Sequence, residues 1–470
     1  MKNKVCVVFC VMLIIFTGCS TLKLQGVKES VYDGPLLIPE EGDIPGVPKE
    51  VQYEGFWERK AGNPDEVMMT PDQIRQFNER NPLKDSPYIV DVLNLPAESI
   101  GENIREYISA NARYLADATL YVTGDIQLEQ AQRQQIIALM DTSGVRDIIS
   151  VRFGVMLRRV EGKAWPTIIP LMSSPNSIEF DAGIVASLDM GEPVALLHVS
   201  RDGQWSYIQN QYFTCWVPSN SLALGDIETI KTLTVSDDFL LVVGHRVSIY
   251  GTPEPGPAIG SIQMGSTMPL SAIGNDYCAV LIPGRGDQGE LSVQKGYIRR
   301  DSNVSLGYLP YTLRNVYRQC FRLYGRRYGW GGMFEERDCS GFVLDVFRCF
   351  GFKLPRNSSR QAEASTAIIS LSGLDRETKL QSIINSPGGI SLLRMSGHIM
   401  IYLGHIDGKP YAIHDMWGWR KSVAENLDAT HRVARVTVTD LMLGDGSLRG
   451  TFLDRLTHIT ILGNYTIENQ

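Results

Sequence analysis

A chain of 470 residues and 52.3 kDa is too long for one ordinary core, and its length alone predicts roughly three domains. Hydrophobic residues at 43% and charged residues at 21% lie near globular averages, which argues against wholesale disorder, collagen-like sequence and a polytopic membrane protein. Lys+Arg 45 against Asp+Glu 52 gives a net charge of −7, and no basic stripe with interleaved aromatics is present, so nucleic acid is not an expected partner.

The chain opens with Lys2 and Lys4, an apolar run from Val5 to Phe16, then Thr17, Gly18 and Cys19. This predicts a secretory signal over residues 1–19, with an apolar run too short to span a bilayer. Small residues directly before Cys19 resemble the bacterial lipobox. That resemblance implies a lipid on the Cys19 thiol, and with it an exported envelope protein anchored to a bacterial membrane. Of eight cysteines, Cys6 and Cys10 fall in the signal, leaving Cys215, Cys278, Cys320, Cys339 and Cys349 beyond Cys19. Five is odd, so at least one thiol stays unpaired in an oxidising compartment. No CxxC pair or zinc-finger spacing occurs, so neither a structural metal nor a cofactor is expected.

Residues 20–63 are rich in Pro, Gly and Glu without a sustained period, and are expected to be a flexible tether. Residues 64–150 carry helical stretches with start signals, Thr70-Pro71-Asp72 and Pro96 with Glu98 among them, and predict a small helical module. From Ser150 the pattern changes to short β-branched and aromatic runs broken by Gly, Pro, Asn and Asp. An internal repeat is visible there. Met190-Gly191 and Met264-Gly265 each start a strand, and Trp216-Val217 and Tyr297-Ile298 each close a copy. The pattern resembles two bacterial SH3-like barrels in tandem, over residues 151–230 and 231–308, which would leave few free strand edges.

Chemistry concentrates in residues 309–470. Leu313, Val316, Tyr317, Cys320, Phe321 and Tyr324 recur at helical spacing, as do Phe342, Val343, Val346, Phe347 and Phe350. Cys339 therefore lies at the first turn of a buried helix, with Asp338 at the capping position, where amides and the positive helix end favour a thiolate and can receive an oxyanion. A nucleophilic thiol needs a base, and the base an orienter. His198 and His245 fall in the β region, His405 in a loop, and His431 and His458 in apolar surroundings near the end. His398 opens one strand and His414 lies in a second, with a hairpin between them. Since 414 − 398 = 16 is even, the two share a face only if the loop is odd, which predicts a five-residue loop from His405 to Lys409 rather than a two-residue Asp407-Gly408 turn.

Tyr328-Gly-Trp-Gly-Gly, Asp338-Cys339-Ser340-Gly341-Phe342, Leu354-Pro355-Arg356-Asn357-Ser358 with Gln361, and Gly397-His398 leading a strand resemble the NlpC-type papain-like cysteine peptidases of bacterial cell walls. The upstream modules resemble that family's multidomain branch, which cleaves γ-D-glutamyl-diamino acid bonds in peptidoglycan peptides. The resemblance implies an α+β papain-like C-terminal domain in which Cys339 attacks, His398 is acid and base, and His414 orients it. It also implies that Tyr328, Asp338 and Ser340 line the substrate site, the acid helping to hold a free amino end. The expected substrates are short stem peptides with a free N-terminal L-Ala, carrying diaminopimelate or lysine at the third position. A non-catalytic peptidoglycan-binding adaptor, or an amidase on another amide or ester, are the alternatives.

Overall fold

The computed structural model describes residues 44–465, apart from Asn176 and Pro255. The signal segment, Cys19 and the first part of the predicted tether lie outside the described residues.

The end of that tether is a correction to the sequence expectation: residues 44–63 are built into the fold. A 3₁₀ turn (Lys49–Gln52) leads into α1 (Glu54–Lys60), and Trp57, 1% exposed, donates its indole N–H to the Val51 carbonyl at 2.8 Å. Its ring sits 6.0 Å from that of Tyr411, and Glu58 pairs with Arg314 and Arg318, all in the C-terminal domain. Then α2 (Pro71–Arg80) starts on a capping box: the Thr70 hydroxyl accepts from the Gln73 amide while the Gln73 side chain accepts from the Thr70 amide. Phe77 on α2 meets Phe352 edge-on at 5.2 Å. Residues 44–80 thus strap the C-terminal domain. Isolated large side chains anchor the strap's first part, and periodicity cannot register them. The remaining helical module is α3 (Gly101–Asp117) and α4 (Gln130–Leu139), closed by pairing of residues 98–100 with 148–150. Its core is Ile104, Ile108, Leu115 and Ile136.

Two all-β SH3-like domains follow, each a seven-stranded antiparallel sheet, joined through α5 (Ile227–Thr234). In the first, Met190-Gly191 precedes strand Pro193–Val199 and Trp216 is fully buried; in the second, Met264-Gly265 precedes strand Thr267–Ile273 and Ile298 is fully buried. The repeat read from the sequence is therefore a repeat of position in the fold.

The C-terminal domain is α+β. It has α6 (Leu313–Arg322), capped by Thr312, then α7 (Cys339–Arg348), and a six-stranded antiparallel sheet. Its strands are β1 (Ile368–Ser370), β2 (Ser391–Met395), β3 (His398–Ile406), β4 (Lys409–Ala424), β5 (Leu427–Asp440) and β6 (Leu456–Ile461), in the order β1-β6-β2-β3-β4-β5. Helix α7 buries Phe342, Val343, Val346 and Phe347 and packs on β3 and β4.

The β3–β4 hairpin departs from the predicted loop. Ile406 pairs with Lys409, so the turn is the two-residue Asp407-Gly408, both with positive φ (48° and 75°). A regular ladder from that turn would have put the two histidines on opposite faces. The register shifts between Tyr402 and Gly404, where an extra residue enters β3, and beyond it Ile401 faces Ile413. Extending that register sets Met400 opposite His414 and His398 two positions along, on the same face. A bulge does what the longer loop was predicted to do.

Candidate active site

Cys339 is the first residue of α7 and is fully buried. Asp338 caps the helix in extended conformation, its carboxylate accepting the Gly341 amide at 2.8 Å. The described cysteines form no disulfide. Burial raises the thiols of Cys215, Cys320 and Cys349 above the ordinary range, which makes each a poor nucleophile. Cys339 alone among the five starts a helix. Helix α7, which Cys339 begins, packs on β3 and β4, the strands that carry His398 and His414.

His398 Nε2 lies 2.6 Å from His414 Nδ1, and His414 Nε2 lies 2.9 Å from the Thr439 hydroxyl on β5. Burial, and then the neighbouring His398, push His414 well below the ordinary imidazole range, so its ring is neutral. A neutral ring carries one proton. With Nε2–H donated to Thr439, Nδ1 accepts from His398 Nε2–H, which leaves His398 Nδ1 as the nitrogen free of this chain and able to take a proton from a thiol. The Thr439 hydroxyl, as acceptor from His414, is the partner that this pair of tautomers requires.

Asp338 is buried in a network. Arg356 donates to both its oxygens at 2.8 and 2.7 Å and to the Ser340 hydroxyl at 2.7 Å; the Ser340 hydroxyl and the Gly331 amide each donate to it at 3.0 Å. Burial acts to raise this carboxyl, but Arg356 and the hydrogen bonds outweigh it and hold it below the usual range. Gln361, fully buried, donates to the carbonyls of Ser340 and Pro355 at 2.9 Å and fixes the loop carrying Arg356.

Tyr328 lies in the segment before α7, its ring 6.2 Å from Phe180 of the first barrel and 6.3 Å from Trp417. In the same segment a Cβ on Gly331 would stand 2.5 Å from Ile184 Cγ2, so only glycine lets this loop lie against the barrel. Arg159 donates to Asp189 and to the Glu336 carbonyl, and Arg337 pairs with Asp345 while reaching the His245 ring and Gln263 in the second barrel. Burial, then Arg337 and other arginines, push His245 down to about 3, so it accepts from Arg337 as a neutral ring. Both barrels therefore brace the residues just before Cys339.

Two cavities adjoin the proposed site residues. One is lined by Asp338, Ser340 and Arg356, with Ile184 and Tyr212 of the first barrel and Tyr107 of α3. The other holds His398 and Tyr328, with Phe180, Trp417 and Trp419. The proposed site residues thus fall into the histidine pair, the helix start, and the walls of these cavities. Sequence reasoning gave no role to Arg356 and missed Thr439. Arg356 stood in the quoted motif, whereas no local signal marks a threonine whose partner lies 25 positions away.

The fold and site define a papain-like cysteine peptidase, a hydrolase. Residues 325–418 match the NlpC/P60 family and residues 170–218 match the SH3 domain of SH3b1 type. The chain thus carries an NlpC/P60-type cysteine peptidase domain beside SH3-like domains. Its fold is similar to that of an NlpC/P60 endopeptidase from Photobacterium damselae subsp. piscicida, with TM-score 0.74 and 19% identity over 91% of this chain and 99% of that one. An NlpC/P60 family protein from Bacillus cereus ATCC 10987 aligns with TM-score 0.46 and 15% identity, over 66% of this chain and 98% of that one. No curated protein matches the chain significantly.

Proposed function

We propose that the protein hydrolyses the bond between γ-D-glutamate and the diamino acid of short peptidoglycan stem peptides bearing a free N-terminal L-Ala. The observation that carries this is the cavity beside Asp338, walled by Ile184 and Tyr212 of the first barrel and by Tyr107 and Asn111 of α3. A peptide entering there meets other domains within a short distance, so a glycan-linked stem does not fit and a free amine ends against Asp338.

Cys339 attacks the γ-carbonyl of D-glutamate while His398 takes the thiol proton, and amides at the start of α7 receive the oxyanion. His398 then gives that proton to the leaving amine, and water, deprotonated by His398, releases the acyl group from sulfur. His414 and Thr439 orient His398 and keep its tautomer. Tyr328, Asp338 and Ser340 line the path of the peptide, Asp338 being held in place by Arg356. We further propose export to the envelope and lipidation at Cys19, read by incorporation of a labelled fatty acid that Cys19→Ala abolishes.

The gating is tested by comparing free L-Ala-γ-D-Glu-diaminopimelate with intact crosslinked sacculi. The expected result is rapid cleavage of the peptide and little release from sacculi. Equal rates on both would overturn the gated reading.

A further inference from the structure

The residues leading into Cys339 make a turn that their side chains do not favour. Phe334 and Glu335 both have positive φ (60° and 57°), and the Glu336 amide closes on the Met333 carbonyl at 3.0 Å. A turn with positive φ at both central positions ordinarily takes Asn-Gly, because a Cβ crowds the backbone there. Phe334 is 45% exposed and meets only the Arg327 guanidinium over its ring, at 4.0 Å, a weak contact at the surface.

The hold comes from the second barrel. Gln263, 2% exposed, ends the strand Ala258–Gln263; its side chain donates to the Glu335 carbonyl at 3.3 Å and accepts from Arg337 at 3.1 Å. Arg337 in turn donates to Asp345 on α7 at 2.6 Å. Arg246, opposite Gln263 on the strand Arg246–Tyr250, pairs with the Glu335 carboxylate, but that pair is exposed and contributes less. One buried amide thus ties the turn to the helix that Cys339 begins.

The loop before α7 folds back on itself around this turn. The Gly329 amide donates to the Arg337 carbonyl at 2.6 Å, and the Gly331 amide to the Asp338 carboxylate at 3.0 Å. Relaxing residues 334 and 335 into the right-handed region redirects the chain between these contacts, and Asp338, which caps α7 one residue before Cys339, moves with them. A misplacement of about 1 Å at the reacting group costs roughly a hundredfold in rate.

We propose that Gln263 is a positioning residue for catalysis: it holds the left-handed turn at Phe334-Glu335 and thereby seats Asp338 and Cys339. Gln263 lines neither cavity beside the site, so it acts through the turn. The substrate used to test it rests on the endopeptidase reading given above.

The test measures kcat and KM on free L-Ala-γ-D-Glu-diaminopimelate, together with hydrogen exchange of the Gly331 amide. Gln263→Met keeps the size of the side chain and removes both hydrogen bonds. It should lower kcat by about tenfold or more, change KM less, and speed exchange at Gly331. Phe334→Asn, which suits a left-handed turn, should leave kcat unchanged by itself and restore most of what Gln263→Met loses. Damage confined to the barrel would not respond to it. Phe334→Val, which resists positive φ at an exposed position, should lower kcat with Gln263 intact, and it decides the matter where Gln263→Met does not fold. Wild-type kcat in folded Gln263→Met, a loss that Phe334→Asn does not restore, or wild-type kcat in Phe334→Val would each overturn the proposal. No cleavage by the wild-type enzyme would overturn the endopeptidase reading instead. Exchange at Gly331 would then judge the positioning role alone: faster exchange in Gln263→Met supports it, and equal exchange contradicts it.

Discussion

Thr439→Val removes one hydroxyl and keeps the shape of the side chain, and the effect on catalysis can be worked through two rings. Thr439 Oγ1 is 2.9 Å from His414 Nε2, and both residues are fully buried. Without the hydroxyl, the His414 Nε2–H has no acceptor, a penalty of about 1–3 kcal/mol. That penalty shifts the tautomer balance of the neutral ring by roughly 5- to 150-fold toward Nδ1–H. In that tautomer His414 donates to His398 Nε2 across their 2.6 Å contact, which moves the proton of neutral His398 to Nδ1, where it can no longer accept from a thiol. We expect kcat to fall by about ten- to a hundredfold with KM nearly unchanged, because Thr439 touches only the orienting ring. Thr439→Ser should retain most of the rate. The assay is steady-state cleavage of the free tripeptide across pH, with ¹⁵N NMR of the histidine rings to read the tautomer. A folded Thr439→Val enzyme with wild-type kcat and an unchanged His414 tautomer would refute the reasoning.

Asp415 is fully buried with both carboxylate oxygens lacking a hydrogen-bond partner, and burial, then Asp338 and Cys339, raise it well above the ordinary carboxyl range. It is therefore protonated in the folded state while the unfolded chain ionises near pH 4, so it makes stability fall as pH rises from there, by up to about 1.4 kcal/mol per pH unit until its folded titration is reached. Denaturant unfolding of wild type and Asp415→Asn from pH 4 to 8 should show the difference growing with pH in favour of the variant, and a constant difference would contradict this. Trp57→Ala should cost about 3–5 kcal/mol and lower the Tm of the C-terminal domain, since the ring is buried in its core; an unchanged Tm would mean that residues 44–60 are a tether after all. Gly331→Ala should cost about 1–3 kcal/mol by forcing the loop from Ile184 and should depress activity as well, because the same loop donates to Asp338; full activity would show that the barrel contact is dispensable.

Where the sequence was legible, the cause was local. Asp338 before Cys339 at the head of an apolar helix, the doubled Met-Gly and aromatic-aliphatic marks of the barrels, and His398 opening a strand are each signalled within a few residues. What escaped depends on distant contacts. Nothing near Trp57 announces that Tyr411 will pack on it, and the register of β3 on β4 is set by a bulge that alternation cannot reveal. The parity argument reached the correct face for His398 and His414 through the wrong loop, because it placed the extra residue in the turn and the fold places it in β3. Asp338 was legible as a cap, but its pairing with Arg356 needs a fold that closes 18 positions.

The most direct measurement follows the products of L-Ala-γ-D-Glu-diaminopimelate, free and N-acetylated, by mass spectrometry, using the chain from residue 20 onward beside its Cys339→Ala variant. The account predicts release of L-Ala-D-Glu from the free peptide only, and none with Cys339→Ala. Absence of cleavage by the folded, reduced enzyme, or equal cleavage by the variant, would contradict it.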